Sequence, residues 1–153
     1  MSQKRSQEIE SIHASLVRGG RFNPPLAFGA LHLGESEKSC LDEVKSHAGG
    51  DLDILRPLVI GVFHLHLSKV LDLTDSKVLA VLVNALKIKL TDLMRPGHHA
   101  LSQRIGRVAR ELGYEGVLFH SAARPGNKNL AVFVDLLEKK SSVKKASVRR
   151  VTI

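Results

Sequence analysis

Residues 101–129, LSQRIGRVARELGYEGVLFHSAARPGNKN, predict a helix, a strand and a polar loop in direct succession. Apolar residues recur every three or four positions from Leu101 to Leu112, and Gly113 follows where a helix commonly ends. The apolar run Gly116–His120 is typical of a strand, whereas Ser121–Asn129 is rich in Arg, Pro, Gly and Asn. A strand that delivers polar side chains into a loop is a common way to build a site.

Further helices and strands alternate along the rest of the chain. The pattern predicts strands at Ala30–Leu33, Leu58–Leu67, Val70–Leu73 and Leu130–Val134, helices at Gly34–Ser46 and from Thr74 or Asp75 to about Lys89, a weak helical pattern over residues 1–17, and a turn at Met94–His98. Ser36 is the expected N-cap of the first of these helices. We therefore expect an α+β (mixed α/β) fold, a single domain with a central sheet flanked by helices.

Composition limits the class of protein. The 153 residues are 43% hydrophobic and 25% charged, which excludes a wholly disordered or collagen-like chain. No apolar run reaches the roughly 18 residues that a membrane span needs, and residues 1–10 show no secretory signal. Cys40 is the only cysteine, so no internal disulfide forms. A cytoplasmic protein without membrane contact is the simplest expectation.

Positive charge is concentrated at the C-terminus. The formal net charge is +8, but residues 1–138 contribute only +2 of it. Residues 139–153 hold six basic residues and no acidic ones. Such a tail either binds nucleic acid or an acidic partner through salt-sensitive contacts, or is a solvated, frayed terminus.

Several common site types are absent from the sequence. No Walker motif and no dinucleotide fingerprint occurs. His64 and His66 lie on one face of a predicted strand and His98 and His99 in a turn, but no carboxylate or cysteine stands nearby at a metal-ligand spacing. Solvent-facing or packed histidines are the better interpretation, and Cys40 is expected to be a buried thiol.

Three segments carry residues suited to chemistry. The loop 19–25, GGRFNPP, holds Arg21 between two glycines and two prolines, and an arginine fork suits a phosphate. Glu43 lies in the middle of a predicted helix, and Ser121 begins the polar loop described above. Taken singly, each segment also fits an ordinary turn, a surface glutamate or a polar loop.

Taken together and in this order, these segments resemble the RES domain family, which is named for its Arg, Glu and Ser. The resemblance rests on residues 19–25 GGRFNPP, 30–36 ALHLGES, 40–43 CLDE, 70–75 VLDLTD, 113–122 GYEGVLFHSA and 129–133 NLAVF. It covers about residues 17–135. Two positions depart from the family pattern: His32 stands where members usually carry Tyr, and no residue among Lys4, Arg5 and Arg18 clearly matches the arginine that members tend to carry upstream of the loop.

The resemblance implies a bacterial toxin of a RES–Xre toxin–antitoxin pair with a fold similar to that of ADP-ribosyltransferases. Such toxins degrade NAD⁺ by phosphorolysis or hydrolysis, with no cofactor and with inorganic phosphate as co-substrate in the first case. The implied partner is an Xre-type helix-turn-helix antitoxin, which binds operator DNA, in a multimeric complex. The implied division is an N-terminal segment 1–16, a RES domain 17–138 and a basic tail 139–153.

The resemblance also implies roles for individual residues. Cleavage of the nicotinamide–ribose bond passes through an oxocarbenium-like state, which a carboxylate stabilises. The implied catalytic residues are Glu43 for that charge, Arg21 for a phosphate group and Ser121 for orientation, and the implied substrate-binding residues are His32, Asn129, Arg124 and Asn23. No metal is implied.

Three alternatives remain open at this point. The departure at His32 allows a RES-like protein that has lost or changed its activity and acts by binding. The same chemistry with another acceptor gives a protein ADP-ribosyltransferase. The basic tail allows a nucleic-acid-associated protein.

Overall fold

The computed structural model describes residues 12–49, 58–93, 95 and 99–151. Its helices are α1 (His13–Arg18), α2 (Glu37–His47), α3 (Ser76–Leu86), α4 (Leu90–Leu93) and α5 (Ala100–Glu111), with a 3₁₀ turn at Val134–Leu136. Its strands are β1 (Leu31–Gly34), β2 (Leu58–His66), β3 (Val70–Asp72), β4 (Gly116–His120), β5 (Lys128–Val132) and β6 (Ser142–Val151). Helices and strands are mixed along the chain, which confirms the predicted α+β class.

The main sheet has four strands in the order β1–β5–β4–β3. β5 pairs antiparallel with both β1 and β4, whereas β3 and β4 are parallel. The parallel pair needs a crossover connection, which α3, α4 and α5 supply. The register places Asn129 of β5 opposite Gly34 of β1, and His32 opposite Ala131. The ends of β1, β4 and β5 therefore bring residues from distant parts of the chain together.

The core lies between this sheet and α5. Ile105 and Ala109 on the apolar face of α5 are buried in one cluster with Phe22 of the loop 19–25 and with Phe119 and other sheet residues. The rings of Phe22 and Phe119 lie with their centroids 4.7 Å apart. Phe22 follows Arg21 directly, so burial of this ring anchors the loop 19–25 to the core.

Gly106 allows α5 to approach that loop. A Cβ atom at Gly106 would lie 1.7 Å from the carbonyl oxygen of Phe22, which no side chain tolerates. One turn earlier, Gln103 donates a hydrogen bond from Nε2 to the carbonyl oxygen of Gly20 at 2.9 Å. Helix α5 therefore holds the backbone of the loop 19–25, which we call the arginine loop, at two points.

A second sheet consists of β2 and β6, paired antiparallel with a register shift between Val62 and Phe63. The basic tail is thus a strand over most of its length. This corrects the interpretation of the tail as a frayed terminus, because β2 supplies partners for its backbone. An ion pair between Arg149 and Glu37 also joins β6 to the start of α2.

A buried carboxylate joins β3, β4 and the segment before β6. Glu115 accepts hydrogen bonds from the backbone N–H groups of Ser68 at 2.6 Å, Lys69 at 3.0 Å and Glu138 at 2.7 Å. Burial alone would raise the pKa of Glu115, but hydrogen bonds from Ser141 and these three N–H groups lower the pKa to about 2. The carboxylate is therefore ionised in the folded protein at neutral pH.

Most predicted elements are confirmed with small changes at their ends. Ser36 is the N-cap of α2 and accepts from the Ser39 N–H group, and Asp75 caps α3. The last predicted sheet strand, Leu130–Val134, begins two residues earlier because Asn129 pairs with Gly34, and a 3₁₀ turn replaces its end. The turn at Met94–His98 and the helical pattern before residue 12 lie largely outside the described residues. No helix in the described part of the chain is long and apolar enough to cross a membrane.

Candidate active site

A cavity of about 500 Å³ opens where β1, α2, α5 and the arginine loop meet. Four of the predicted site residues line it: Arg21, His32, Glu43 and Asn129. The other lining residues are Arg18, Gly19, Gly20, Leu33, Gly34, Cys40, Val44, His99, Gln103, Phe119 and Ala122. Glu43 is the acidic residue among these lining residues, all of which belong to the described part of the chain.

Two hydrogen bonds fix the carboxylate of Glu43. Ser121 donates from its hydroxyl to Oε1 at 2.5 Å, and Asn129 donates from Nδ2 to the same oxygen at 2.9 Å. Ser121 lies just after β4 and is buried, while Asn129 lies on β5. The two partners come from the sheet and Glu43 comes from α2, so the sheet sets the direction of this carboxylate. Ser121 thus acts on Glu43, and it does not itself line the cavity.

Arg21 lines the same cavity as this carboxylate and has an unsatisfied donor. Its Nη1 atom is buried and has no hydrogen-bond partner among the described residues. The guanidinium lies 5.7 Å from the centroid of the Phe119 ring, which gives it a cation–π contact. Burial lowers the pKa of Arg21, and the charge of Glu43 partly offsets this. A buried guanidinium N–H group without an acceptor is a site that an anionic ligand would satisfy.

His32 lies against the backbone of the arginine loop and remains exposed to the cavity. A Cβ atom at Gly20 would lie 2.6 Å from Cε1 of the imidazole, so only glycine fits there without a shift of the ring. Burial by the surrounding walls lowers the pKa of His32, a hydrogen bond to the backbone of Ala30 raises it, and the charge of His99 lowers it. The imidazole is therefore mainly neutral at pH 7.

Arg124, which was predicted to bind substrate, has other contacts. Arg124 forms an ion pair with Asp42 and does not line the cavity. Its backbone N–H group donates to the Ser121 hydroxyl at 3.1 Å, so this loop supports Ser121. Asp42 lies on α2, directly before Glu43. The ion pair of Arg124 with Asp42 therefore joins the loop after β4 to that helix.

Asn23 is fully buried and does not line the cavity either. Its Nδ2 group donates to the backbone oxygens of Ser15 at 2.9 Å and Phe28 at 3.1 Å. The backbone N–H group of Gly20 donates to the backbone carbonyl oxygen of Asn23 at 2.8 Å and closes the loop. These hydrogen bonds give Asn23 a structural role in fixing the shape of the arginine loop, and its contact with substrate stays a prediction.

Among the lining residues that sequence reasoning did not assign to the site, three have a charged, imidazole or amide side chain: Arg18, His99 and Gln103. Arg18 is the last residue of α1 and makes no ion pair among the described residues. Gln103 and His99 belong to α5 and its N-cap. The sequence offered one sign of Gln103, which is its polar side chain on an amphipathic helix. Gln103 lies one turn before Gly106, on the side of the helix that faces the loop.

Cys40 is half-buried and lines the cavity, which corrects its expected place in the core. Its sulfur lies 2.8 Å from the position that a Cβ atom at Gly34 would take. Among the described residues, no group of three or more His, Cys, Asp or Glu side chains has a geometry that would hold a metal ion. The exposed pair His64 and His66 lies on β2 and does not line this cavity.

The arrangement combines a fixed carboxylate with a buried cation in one cavity. A carboxylate held in place stabilises a positive charge that develops next to it. A guanidinium in the same cavity can bind phosphate oxygens through paired N–H groups. The cavity is thus suited to a ligand that carries phosphate and a sugar carbon from which a group departs.

The sequence is similar to one protein family and to curated proteins of known activity. The RES domain family model matches residues 6–152. The NAD(+) phosphorylase MbcT of Mycobacterium tuberculosis is 29% identical to this chain over 135 residues, which cover 77% of this chain and 70% of that protein. MbcT of Mycobacterium bovis has the same identity and coverage.

A solved structure shares the fold. A chain in the crystal structure of the M. tuberculosis MbcT–MbcA toxin–antitoxin complex matches with a TM-score of 0.78 at 23% sequence identity, over 94% of this chain and 77% of that chain. Since the family model covers most of the sequence and includes Arg21, Glu43 and Ser121, the chain belongs to the RES domain family.

Proposed function

We propose that this protein is a toxin that degrades NAD⁺ by cleaving the bond between nicotinamide and ribose. The observation that carries the proposal is the Glu43 carboxylate, which Ser121 and Asn129 fix within a cavity that also holds Arg21. The relatives support the substrate, because the curated proteins similar to this chain are named NAD(+) phosphorylases.

Each residue has a part in this reaction. As the nicotinamide leaves with the bonding electron pair, positive charge develops on the ribose, and the carboxylate of Glu43 stabilises it. Ser121 and Asn129 are positioning residues, since their hydrogen bonds hold that carboxylate still. Arg21 binds phosphate oxygens through its buried Nη1 group. His32 lies beside the loop and contacts the ligand from β1.

Replacement of Glu43 tests the proposal. We expect Glu43→Gln to lower the rate of NAD⁺ consumption by about 100-fold or more, because an amide carries no charge to stabilise the ribose cation. Glu111→Gln is the matched control, since it removes an exposed carboxylate from α5 outside the cavity. The measurement is the amount of NAD⁺ that remains with time. Equal rates for the two variants would contradict the role of Glu43.

We further propose that an Xre-type helix-turn-helix antitoxin neutralises the toxin by covering the cavity and links it to operator DNA in a multimeric complex. The family resemblance supports this, and the match to a chain from a toxin–antitoxin complex is consistent with it. The test is co-expression of this chain with a candidate Xre-type helix-turn-helix protein, followed by measurement of complex formation and NAD⁺ consumption. An antitoxin that binds the chain yet leaves NAD⁺ consumption unchanged would contradict neutralisation at the cavity.

A further inference from the structure

An ion pair beside the cavity joins the loop after β4 to the helix that carries Glu43. Arg124, in the loop between β4 and β5, donates from Nη1 to Oδ2 of Asp42 on α2. The two side chains are partly exposed, at 36% and 29%. Neither residue lines the cavity. Any effect of this ion pair on the reaction must therefore pass through the residues that it holds.

The loop that carries Arg124 also carries the hydroxyl that binds Glu43. The Arg124 backbone N–H group donates to the Ser121 hydroxyl at 3.1 Å, and that hydroxyl donates to Oε1 of Glu43 at 2.5 Å. Two backbone hydrogen bonds close the loop on itself. The Ser121 N–H group donates to the Asn127 oxygen at 2.8 Å, and the Asn127 N–H group donates to the Arg124 oxygen at 3.1 Å. A displacement of Arg124 would therefore displace the Ser121 hydroxyl as well.

On the helix, two successive residues take part in the contact. Asp42 and Glu43 point about 100° apart around the axis of α2, because a helix has 3.6 residues per turn. The loop binds both of them, Asp42 through the Arg124 side chain and Glu43 through Ser121. A single contact would leave the helix free to rotate about its axis, whereas contacts in two directions fix the rotation. The direction of the Glu43 carboxylate therefore depends on the ion pair as well as on its own hydrogen bonds.

We propose that Arg124 and Asp42 are positioning residues, whose ion pair sets the Ser121 hydroxyl and the Glu43 carboxylate against the ribose. This inference rests on the proposed function, and it gives Arg124 a part other than the contact with substrate that the family resemblance implies. Loss of a contact that binds substrate raises KM, whereas loss of a group that orients the carboxylate in the transition state lowers kcat. Kinetics can therefore separate the two roles.

The first test is steady-state kinetics of NAD⁺ cleavage. We expect Arg124→Gln and Asp42→Asn each to lower kcat by about two- to fivefold with an unchanged KM for NAD⁺, since a partly exposed ion pair contributes about that factor. Arg107→Gln is the matched control, because it removes an exposed arginine on α5 outside the cavity. A raised KM with an unchanged kcat in Arg124→Gln would assign this residue to the substrate and overturn the inference.

A double-mutant cycle tests whether the two residues act as a pair. Arg124→Gln combined with Asp42→Asn should lower kcat no further than either change alone, because one interaction is lost only once. The exchanged pair, Arg124→Asp with Asp42→Arg, should recover part of the lost kcat. Losses that multiply in the double variant would show two separate effects and overturn the inference.

Hydrogen exchange gives a test that does not depend on activity. The backbone N–H groups of Arg124 and Ser121 are bonded within the loop, so Asp42→Asn should raise their exchange rates by about two- to fivefold. The Leu112 N–H group at the end of α5 is the internal control. Unchanged exchange in the loop, together with an unchanged kcat, would overturn the inference and leave the proposed function intact. Faster exchange in a chain whose native form leaves NAD⁺ intact would support the positioning contact and contradict the proposed function.

Discussion

Ser121 shows how a residue outside the cavity wall controls the chemistry within it. Its hydroxyl donates to Glu43 at 2.5 Å and accepts from the Arg124 backbone N–H group at 3.1 Å. Removal of one hydrogen bond to a charged group costs about 1.5–3 kcal/mol. We therefore expect Ser121→Ala to lower kcat for NAD⁺ cleavage by roughly tenfold to 100-fold with little change in KM. Steady-state kinetics measures both constants.

The control for this prediction lies in the same helix as Glu43. Ser39 is equally buried, and its hydroxyl has no hydrogen-bond partner among the described residues, so Ser39→Ala should leave kcat unchanged. If both variants lost the same activity, the effect of Ser121→Ala would reflect general loss of structure rather than misplacement of the carboxylate.

Glu115 gives a prediction about pH and stability. Hydrogen bonds lower its pKa from 4.5 to about 2 in the folded chain, so the folded state favours the ionised form. This contribution to stability is present above the unfolded pKa and is lost as the pH falls from 4.5 towards 2. We expect the melting temperature of the native chain to fall across that range. In Glu115→Gln, the part of this fall that comes from Glu115 should disappear. Calorimetry at several pH values would check it, and an unchanged acid dependence in the variant would refute it.

The contact between α5 and the arginine loop is the point where two elements must fit most closely. A Cβ atom at Gly106 would lie 1.7 Å from the carbonyl oxygen of Phe22, so Gly106→Ala must push the loop away from the helix. We expect a loss of about 1–3 kcal/mol of stability and a marked loss of NAD⁺ cleavage, since Arg21 moves with Phe22. Urea unfolding and kinetics measure the two effects.

Arg107→Ala, an exposed change on the same helix, is the control for Gly106→Ala. It removes a long side chain without touching the loop, so the stability and the activity should both be retained. An active Gly106→Ala protein with unchanged stability would show that the loop does not depend on this approach.

Local patterns predicted the elements better than they predicted the contacts between them. Apolar spacing and the Ser36 cap located α2 correctly, and the same reasoning located β4 and α5. The family motif brought Arg21 and Glu43 into the site, but it also placed Asn23 there, because a motif does not tell a structural residue from a ligand contact. Asn23 is fully buried within the loop, and its amide donates to the backbone of Ser15.

The cavity residues that sequence missed come from long-range packing. His99 enters the cavity because α5 docks against the arginine loop, and no local pattern records that docking. The strand β6 was missed for a related reason. Its basic residues have a low preference for strands, and its pairing depends on β2, which lies far away in the sequence.

On the scale of the molecule, the domain limits 17–138 remain a prediction. These limits leave out β6, which is one of the two strands of the second sheet, so a chain cut at residue 138 tests them. A chain that ends at Glu138 lacks β6 and leaves the backbone of β2 without its partner strand. It also lacks Ser141, which contributes to the hydrogen bonding around Glu115. We expect this truncated chain to melt at a lower temperature by about 5 °C or more. A matched change, Arg149→Gln with Arg150→Gln, removes charge but keeps the strand, and should cost far less.

The truncation also separates structure from charge in the role of the tail. If the shortened chain kept its melting temperature and its NAD⁺ cleavage, the tail would lie outside the folding unit and the limits 17–138 would hold. If the charge variant kept its melting temperature but lost affinity for duplex DNA in a salt titration, the alternative of a nucleic-acid-associated protein would gain support.

The central claim is that the cavity around Glu43 breaks the nicotinamide–ribose bond of NAD⁺, and proton NMR of the reaction mixture tests it most directly. Loss of NAD⁺ alone does not identify the bond, because cleavage of the diphosphate would also consume it. We expect signals of free nicotinamide that grow with the native chain, stay absent with Glu43→Gln and persist with Glu111→Gln. Unchanged NAD⁺, or products that still carry nicotinamide bound to ribose, would contradict it.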